Sequence, residues 1–235
     1  MAISDLRREY SRGGLDRQAL NDDPLAQFSN WFAQASAARG GTRWRKIGIA
    51  LFKLWHAILG HAPPDVNAMV LGTATRDGRP SVRTVLLKGT DQRGFVFFTN
   101  YDSRKGQELS ENPLASLVFY WPDLERQVCV AGAVTKLPRE ESEAYFRSRP
   151  KGSRLAAWAS NQSDVVVDRT VLEQQWQTMA ARFPGEEVPL PPNWGGYVLA
   201  PARIEFWQGR PNRLHDRFRY TKQPDSQWKI ERLSP

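Results

Sequence analysis

The chain has 235 residues, of which 40% are hydrophobic and 25% charged, and a formal net charge of +8. This is enough apolar content for a core, in one large domain or two small ones, and the positive balance favours anionic partners. A single cysteine, Cys129, excludes an intrachain disulfide and a multi-cysteine zinc site and points to a reducing, cytoplasmic setting. The opening residues lack the apolar run of a secretory signal, and the longest apolar stretch, Ile47 to Gly60, is short for a bilayer and carries Lys53 and His56.

Residues 1–22 are polar and read as a mobile arm, leaving 23–235 as a single domain. Pro24 suits a first helical turn, and Leu25, Phe28, Trp31, Phe32 and Ala35 keep helical spacing behind it. Within the segment from about 39 to 64, Arg43-Trp44-Arg45-Lys46 leads into a basic amphipathic helix over 43–60, ended by Gly60 and Pro63-Pro64. Packing on the rest of the protein is the favoured role for its apolar stripe, ahead of a membrane surface.

From residue 68 the pattern turns to β. Strands are expected at Ala68–Thr75, Ser81–Lys88, Phe95–Thr99, Leu114–Trp121 and Gln127–Leu137, with a hairpin turn at Asp77-Gly78 and a helix over Ser103–Glu111. Helices over Arg139–Arg149 and Val165–Phe183 follow. Three strands then run near Gly196–Leu199, Ile204–Trp207 and Leu214–Tyr220, with a last one at Trp228–Leu233. Hairpin-linked strands with inserted helices argue against a parallel βαβ sheet, and no Gly-x-Gly-x-x-Gly or Walker loop is present. The expected fold is mainly β with α, an antiparallel barrel with peripheral helices.

Four runs could carry chemistry. In Asn100–Lys105, Asp102 or Ser103 can cap a helix whose first turn holds Arg104 and Lys105; these cations oppose the helix dipole unless an anion binds there, and a solvated basic turn is the equal alternative. Arg83 and Lys88 bracket Thr84-Val85-Leu86-Leu87 and, five apart, fall on opposite faces of a regular strand. Arg213, His215, Arg217 and Arg219 share one face if their run is a strand, a repelling row that suggests an anionic or electron-rich ligand, although a charged edge strand would look the same. Trp207 could add a stacking surface. Tyr145, Arg149 and Ser153, the first two four apart on a helix, make a phosphate-type donor set, and Gln127, Gln162 and Ser163 could contact a heteroaromatic ring.

Taken together and in order, RTVLLK (83–88), FTNYDSRK (98–105), LERQV (124–128), YFRSRP (145–150), WGG (194–196), IEFWQG (204–209), RLHDRF (213–218), the closing WKIERL and the Arg7–Tyr10 arm resemble the pyridoxamine/pyridoxine 5′-phosphate oxidases over nearly the whole chain. The resemblance implies a split β-barrel homodimer with FMN sites at the subunit interface. It matches Arg83, Thr84, Val85, Leu86, Leu87, Lys88, Phe98, Thr99, Arg104, Lys105, Gln127, Gln162, Ser163, Trp207 and Arg217 to FMN-contacting positions. It matches Lys88, Tyr145, Arg149 and Ser153 to the substrate-phosphate pocket, and Arg213, Leu214 and His215 to the substrate's pyridine ring, with Arg213 and His215 the catalytic candidates. Arg7 and Tyr10 would belong to a closing arm, and Asp65 to an acidic position near the site.

The activity implied is oxidation of pyridoxamine and pyridoxine 5′-phosphates to pyridoxal 5′-phosphate, with oxygen as acceptor and hydrogen peroxide released. No metal and no nucleic acid are expected. A non-catalytic flavin- or pyridoxal-phosphate-binding protein is the main alternative; a nicotinamide-driven flavin reductase and a nucleic-acid binder are weaker ones. The 39–64 segment is longer than the matching stretch of the family.

Overall fold

A computed structural model describes residues 3–5, 9–40 and 65–235. Arg7 and the expected helix over 43–60 lie outside the described residues.

The elements follow the hydrophobic pattern. Helix α1 (Pro24–Gly40) starts with the Asp23 carboxylate accepting the Leu25 N–H at 2.9 Å. Strands β1 (Ala68–Ala74), β2 (Pro80–Leu86), β3 (Gly89–Asp91) and β4 (Gly94–Asn100) come next, then α2 (Arg104–Glu111), β5 (Leu114–Trp121) and β6 (Arg126–Lys136). Helices α3 (Arg139–Ser148), α4 (Lys151–Ala159) and α5 (Arg169–Arg182) precede β7 (Trp194–Gln208), β8 (Asp216–Lys222) and β9 (Trp228–Leu233). Among the described residues the strands form one nine-stranded antiparallel sheet, ordered β2-β1-β5-β6-β7-β4-β3, with β8 paired to β7 and β9 to β8. The fold is the split barrel that the family resemblance implied, and the antiparallel strand arrangement is the one the pattern predicted. Among the described residues, no helix is long and apolar enough to cross a membrane.

Several expectations are corrected. The strands near 196–199 and 204–207 are one strand, β7, because Ala200-Pro201 interrupts the apolar pattern without breaking the sheet. The final helix begins at Arg169, not Val165, since Asp168 caps it by accepting the Thr170 and Val171 N–H groups. After α3 ends at Ser148, Pro150 caps a further helix, α4, which was not expected and whose first turn holds Ser153.

The chain divides into two compact units, with the boundaries falling inside β1, β5, β6 and β7. The first comprises residues 1–70, 117–131 and 201–235. Its core joins α1 to the sheet: Phe28 packs on Phe119 (centroids 4.9 Å apart) and Trp31 meets Phe206 edge-on (5.2 Å), with Phe206 in turn against Tyr220. The second comprises residues 71–116 and 132–200. Its core has Phe95, Phe97 and Leu199 on the paired strands β4 and β7, and a second cluster in which Phe146 and Leu155 of the helices meet Val188, Leu190 and Trp194.

Candidate functional site

The second unit contains a cavity of about 810 Å³, within the size range of small-molecule sites. It is lined from β2 by Arg83, Thr84, Val85 and Leu86, then by Lys88, and from β4 by Phe98 and Thr99. Arg104 and Lys105 of α2, Tyr145 of α3, Arg149, Ser153 of α4, Gln162, Ser163 and Trp194 complete it. Arg83 and Lys88 therefore face one space, contrary to strand alternation. The reason is local: β2 stops at Leu86, and the Lys88 N–H bonds to the Val96 carbonyl at 2.8 Å, so the pleat does not continue to residue 88. Leu87 is buried and does not line the cavity.

At one part of this wall the N-terminus of α2 is capped by Ser103, whose hydroxyl accepts the Gly106 N–H. Gly106 is required here, since a β-carbon would come within 2.0 Å of the Tyr101 carbonyl oxygen. The first-turn cations are answered differently. Arg104 donates to Glu108 one turn on, at 2.9 Å. Lys105 is buried, and its ammonium meets Thr99 Oγ1 (3.1 Å), Ser103 Oγ (3.0 Å) and Gln162 Oε1, all neutral acceptors. Burial first, and the neighbouring Arg83 charge second, lower the Lys105 pKa to about 8. The Arg104 backbone N–H is taken by Ser163 Oγ at 3.2 Å, from a residue at φ 85.

Glu108, invisible as a site residue in the sequence, organises these cations. Its carboxylate is buried and accepts from Ser81 Oγ (2.5 Å), Thr73 Oγ1, Arg104 Nε and Arg83 Nη2 (3.3 Å). Burial works to raise its pKa, but the Ser81, Thr73 and Arg104 hydrogen bonds and the Arg83 charge prevail and hold it at about 2. The only clue in the sequence was the four-residue spacing from Arg104, which is also the spacing of an ordinary surface pair.

Elsewhere in the cavity Phe98, Tyr145 and Trp194 stack, with Phe98 and Tyr145 centroids 3.9 Å apart and Tyr145 and Trp194 planes within 6° of parallel. The Arg149 guanidinium lies 4.7 Å over the Trp194 ring. Its Nη1 is buried with no hydrogen-bond partner among the described residues. An orphaned charged donor beside Tyr145 and Ser153 fits an anionic ligand.

The first unit holds a separate aromatic group. Trp207 at the end of β7, His215 and Tyr10 of the arm meet pairwise, with Trp207 and His215 centroids 4.7 Å apart. The Arg210 N–H donates to His215 Nδ1 at 3.1 Å, so the neutral ring carries its proton on Nε2. Burial and then the Arg213 charge lower the His215 pKa.

The row of donors expected on one strand face does not form. Arg213 precedes β8 in a short 3₁₀ turn, where Asn212 and Arg213 take φ 57 and φ 60, and Leu214 is exposed beside them. In β8, Arg217 and Arg219 are paired with Glu205 (2.8 Å) and Glu231 (3.0 Å) on neighbouring strands, which removes the expected repulsion. Gln127 lies on β6, its amide against Cys129 Sγ at 3.3 Å, and Asp65 is exposed just before β1. Both belong to the first unit, as do Trp207, Arg213, His215 and Arg217.

Residues 61–183 match the profile described as pyridoxamine 5′-phosphate oxidase, and residues 194–235 match the pyridoxine 5′-phosphate oxidase C-terminal dimerisation region. The chain belongs to the pyridoxamine 5′-phosphate oxidase family. It is 51% identical over 233 residues to the pyridoxine/pyridoxamine 5′-phosphate oxidase of Paraburkholderia phymatum, covering 99% of both chains. The corresponding protein of Nostoc punctiforme is 48% identical, with 99% of this chain and 98% of that one covered. The crystal structure of PhzG from Burkholderia lata 383 in complex with tetrahydrophenazine-1-carboxylic acid superposes with a TM-score of 0.79 at 31% identity, covering 94% of this chain and 98% of that one.

Membership of the pyridoxamine 5′-phosphate oxidase family makes the protein an oxidoreductase of the flavoprotein split-barrel type, with a C-terminal region of the dimerising kind. The cavity suits a phosphate-bearing flavin: Arg83, Arg104 and Lys105 supply cationic donors, and Phe98 and Trp194 supply flat apolar walls.

Proposed function

We propose that the protein oxidises pyridoxamine 5′-phosphate and pyridoxine 5′-phosphate to pyridoxal 5′-phosphate, with FMN as cofactor and oxygen as electron acceptor. The observation that carries this reading is the second donor set. Lys88, Tyr145, Arg149 and Ser153 line the same cavity as Arg83, Arg104 and Lys105, and Arg149 Nη1 is buried without a partner among the described residues. A site for the flavin phosphate alone has no use for the second set; a substrate that brings its own phosphate does.

In this reading Arg83, Arg104 and Lys105 hold the FMN phosphate, while Thr84, Val85, Leu86, Leu87, Phe98, Thr99, Gln162 and Ser163 support the cofactor from the second unit. Gln127, Trp207 and Arg217 contribute from the first, within a homodimer. Lys88, Tyr145, Arg149 and Ser153 anchor the substrate phosphate, and this remote anchoring fixes the reacting carbon in place. FMN held by these residues would supply the two-electron acceptor for the substrate, with oxygen as the terminal acceptor and hydrogen peroxide as its product. The alcohol yields the aldehyde directly; the amine yields an imine that water converts to the aldehyde and ammonia. Arg213 and Leu214 position the pyridine ring, and His215, neutral with its proton on Nε2, offers a donor there. Residues 23–235 act as one flavin-binding domain, the arm with Arg7 and Tyr10 closes over ligand, and Asp65 lies near the site. The single cysteine fits a cytoplasmic enzyme.

The test is an absorbance spectrum of the FMN-loaded protein under anaerobic conditions, before and after pyridoxamine 5′-phosphate. Bleaching, then recovery in air with formation of pyridoxal 5′-phosphate, is expected. A yellow protein that never bleaches would leave a binding protein without this activity. Bleaching by a tetrahydrophenazine carboxylic acid but not by the B6 phosphates would move the substrate assignment to that neighbour's ligand class.

Two further results are expected. Arg213→Ala retains FMN stoichiometry but loses about a hundredfold in kcat, in line with the cost of losing a positioning or proton-transfer group; full turnover in that variant removes Arg213 from the chemistry. FMN affinity falls as pH rises through about 8, because the buried Lys105 loses its charge there. The sign follows from linkage: phosphate binds the protonated form, so its binding favours protonation and is weakened where the free site is neutral. Fluorescence titration of FMN at pH 7 and pH 9.5 checks this, and Lys105→Met should flatten the dependence.

A further inference from the structure

The N-terminal arm is fastened at one residue that the proposed reaction leaves without a role. The Tyr10 ring lies 5.5 Å from Trp207 and 5.7 Å from His215, centroid to centroid and edge-on to both. It rests on the backbone of Gly209, where a β-carbon would come within 2.7 Å of Tyr10 Cγ. Glu125, in the turn before β6, holds both sides of this arrangement. Its Oε2 accepts the N–H groups of Ser11 and Arg12, the two residues after Tyr10, at 2.8 and 2.9 Å. Its backbone carbonyl accepts the Gly209 N–H at 2.8 Å, and the Gln208 side-chain amide at 3.3 Å.

Glu125 is 2% exposed and has φ 55, a left-handed conformation that few non-glycine residues adopt. We propose that Glu125 is a positioning residue: it latches the arm so that Tyr10 is held against Trp207 and His215. Two backbone donors on one buried carboxylate are charge-assisted, and removing the carboxylate leaves both without a partner. The arm's other fasteners act further along. Leu15 N–H bonds Asp216 at 3.0 Å and Arg210 bonds the Gly13 carbonyl at 2.7 Å. They keep the chain nearby without fixing the Tyr10 ring.

The consequence for substrate rests on the reading above; the latch itself does not. The experiment is hydrogen exchange across residues 9–15, with steady-state kinetics on pyridoxine 5′-phosphate, in the FMN-loaded full chain. In Glu125→Ala, exchange at Ser11 and Arg12 should accelerate by about tenfold or more, and KM should rise about tenfold, with bound flavin unchanged, as expected for lost hydrogen bonds to a charged group. Glu125→Gln retains an acceptor oxygen and should recover much of both. Ser11→Pro removes one donor from the arm while leaving the Glu125 turn untouched, so it should raise KM even if Glu125→Ala disturbs that turn. Unchanged exchange in Glu125→Ala, or unchanged KM in both Glu125→Ala and Ser11→Pro, would overturn the proposal. If the wild type turns over no B6 phosphate, the reaction assignment fails, and exchange alone still decides the latch.

Discussion

Glu108→Ala is expected to destabilise the protein by about 3 kcal/mol, the usual scale for removing one partner of a buried ion pair. The carboxylate is almost fully buried and holds Arg83, Arg104, Thr73 and Ser81 at once. Alanine would leave two guanidinium groups close together with nothing between them. For a chain of this size the loss corresponds to a fall in Tm of roughly 6–12 °C. The pH dependence gives a second readout. The folded carboxyl is held at about 2, below its ordinary 4.5, so its stabilisation is complete above the ordinary value and is lost as pH falls towards 2. The stability difference between wild type and variant should therefore narrow between pH 5 and pH 2. Thermal denaturation followed by circular dichroism across that range checks both points; equal Tm values at pH 7 would show that the cations are held by something else.

Arg149→Ala is expected to raise KM for pyridoxamine 5′-phosphate about a hundredfold while leaving FMN content unchanged. Each charged hydrogen bond to phosphate contributes about 1.5–3 kcal/mol, and about 1.4 kcal/mol is a factor of ten. The guanidinium stacks on Trp194 and presents Nη1 with no partner among the described residues, so the group is already in place before ligand arrives. Arg149→Lys keeps the charge but loses the flat fork and the stacking, and should recover only part of the affinity. Pyridoxamine without its phosphate provides the control: on that poor substrate the wild type and Arg149→Ala should perform alike. A similar KM for wild type and variant on the phosphorylated substrate would remove Arg149 from the phosphate pocket.

The residues visible in the sequence were those whose type and spacing are chemically unusual. Arg104 and Lys105 at a helix start stood against the dipole, a conflict that left an anion site and a solvated basic turn equally open. Tyr145, Arg149 and Ser153 were legible as a donor set because helical spacing places the first two together. The same spacing rules failed where the backbone departs from regularity. Arg83 and Lys88 were assigned to opposite faces because a strand was taken to run through residue 88, and it ends at Leu86. Arg213 was placed in a row with Arg217, but two consecutive left-handed residues turn the chain before β8 begins.

The sequence by itself determined most of the strands and helices, the family, and which cations were candidates for phosphate, because hydrophobic period and motif are local properties. Only the tertiary structure decided how those cations are held. Glu108 is an ordinary helix glutamate in the sequence and becomes the centre of a buried charge network through Thr73 and Ser81, which precede it by 35 and 27 residues. Glu125 meets Ser11 across a separation of 114 residues. Contacts of that range leave no periodic trace, since their partners are brought together by the sheet and by turns whose positive φ angles the residue types did not announce.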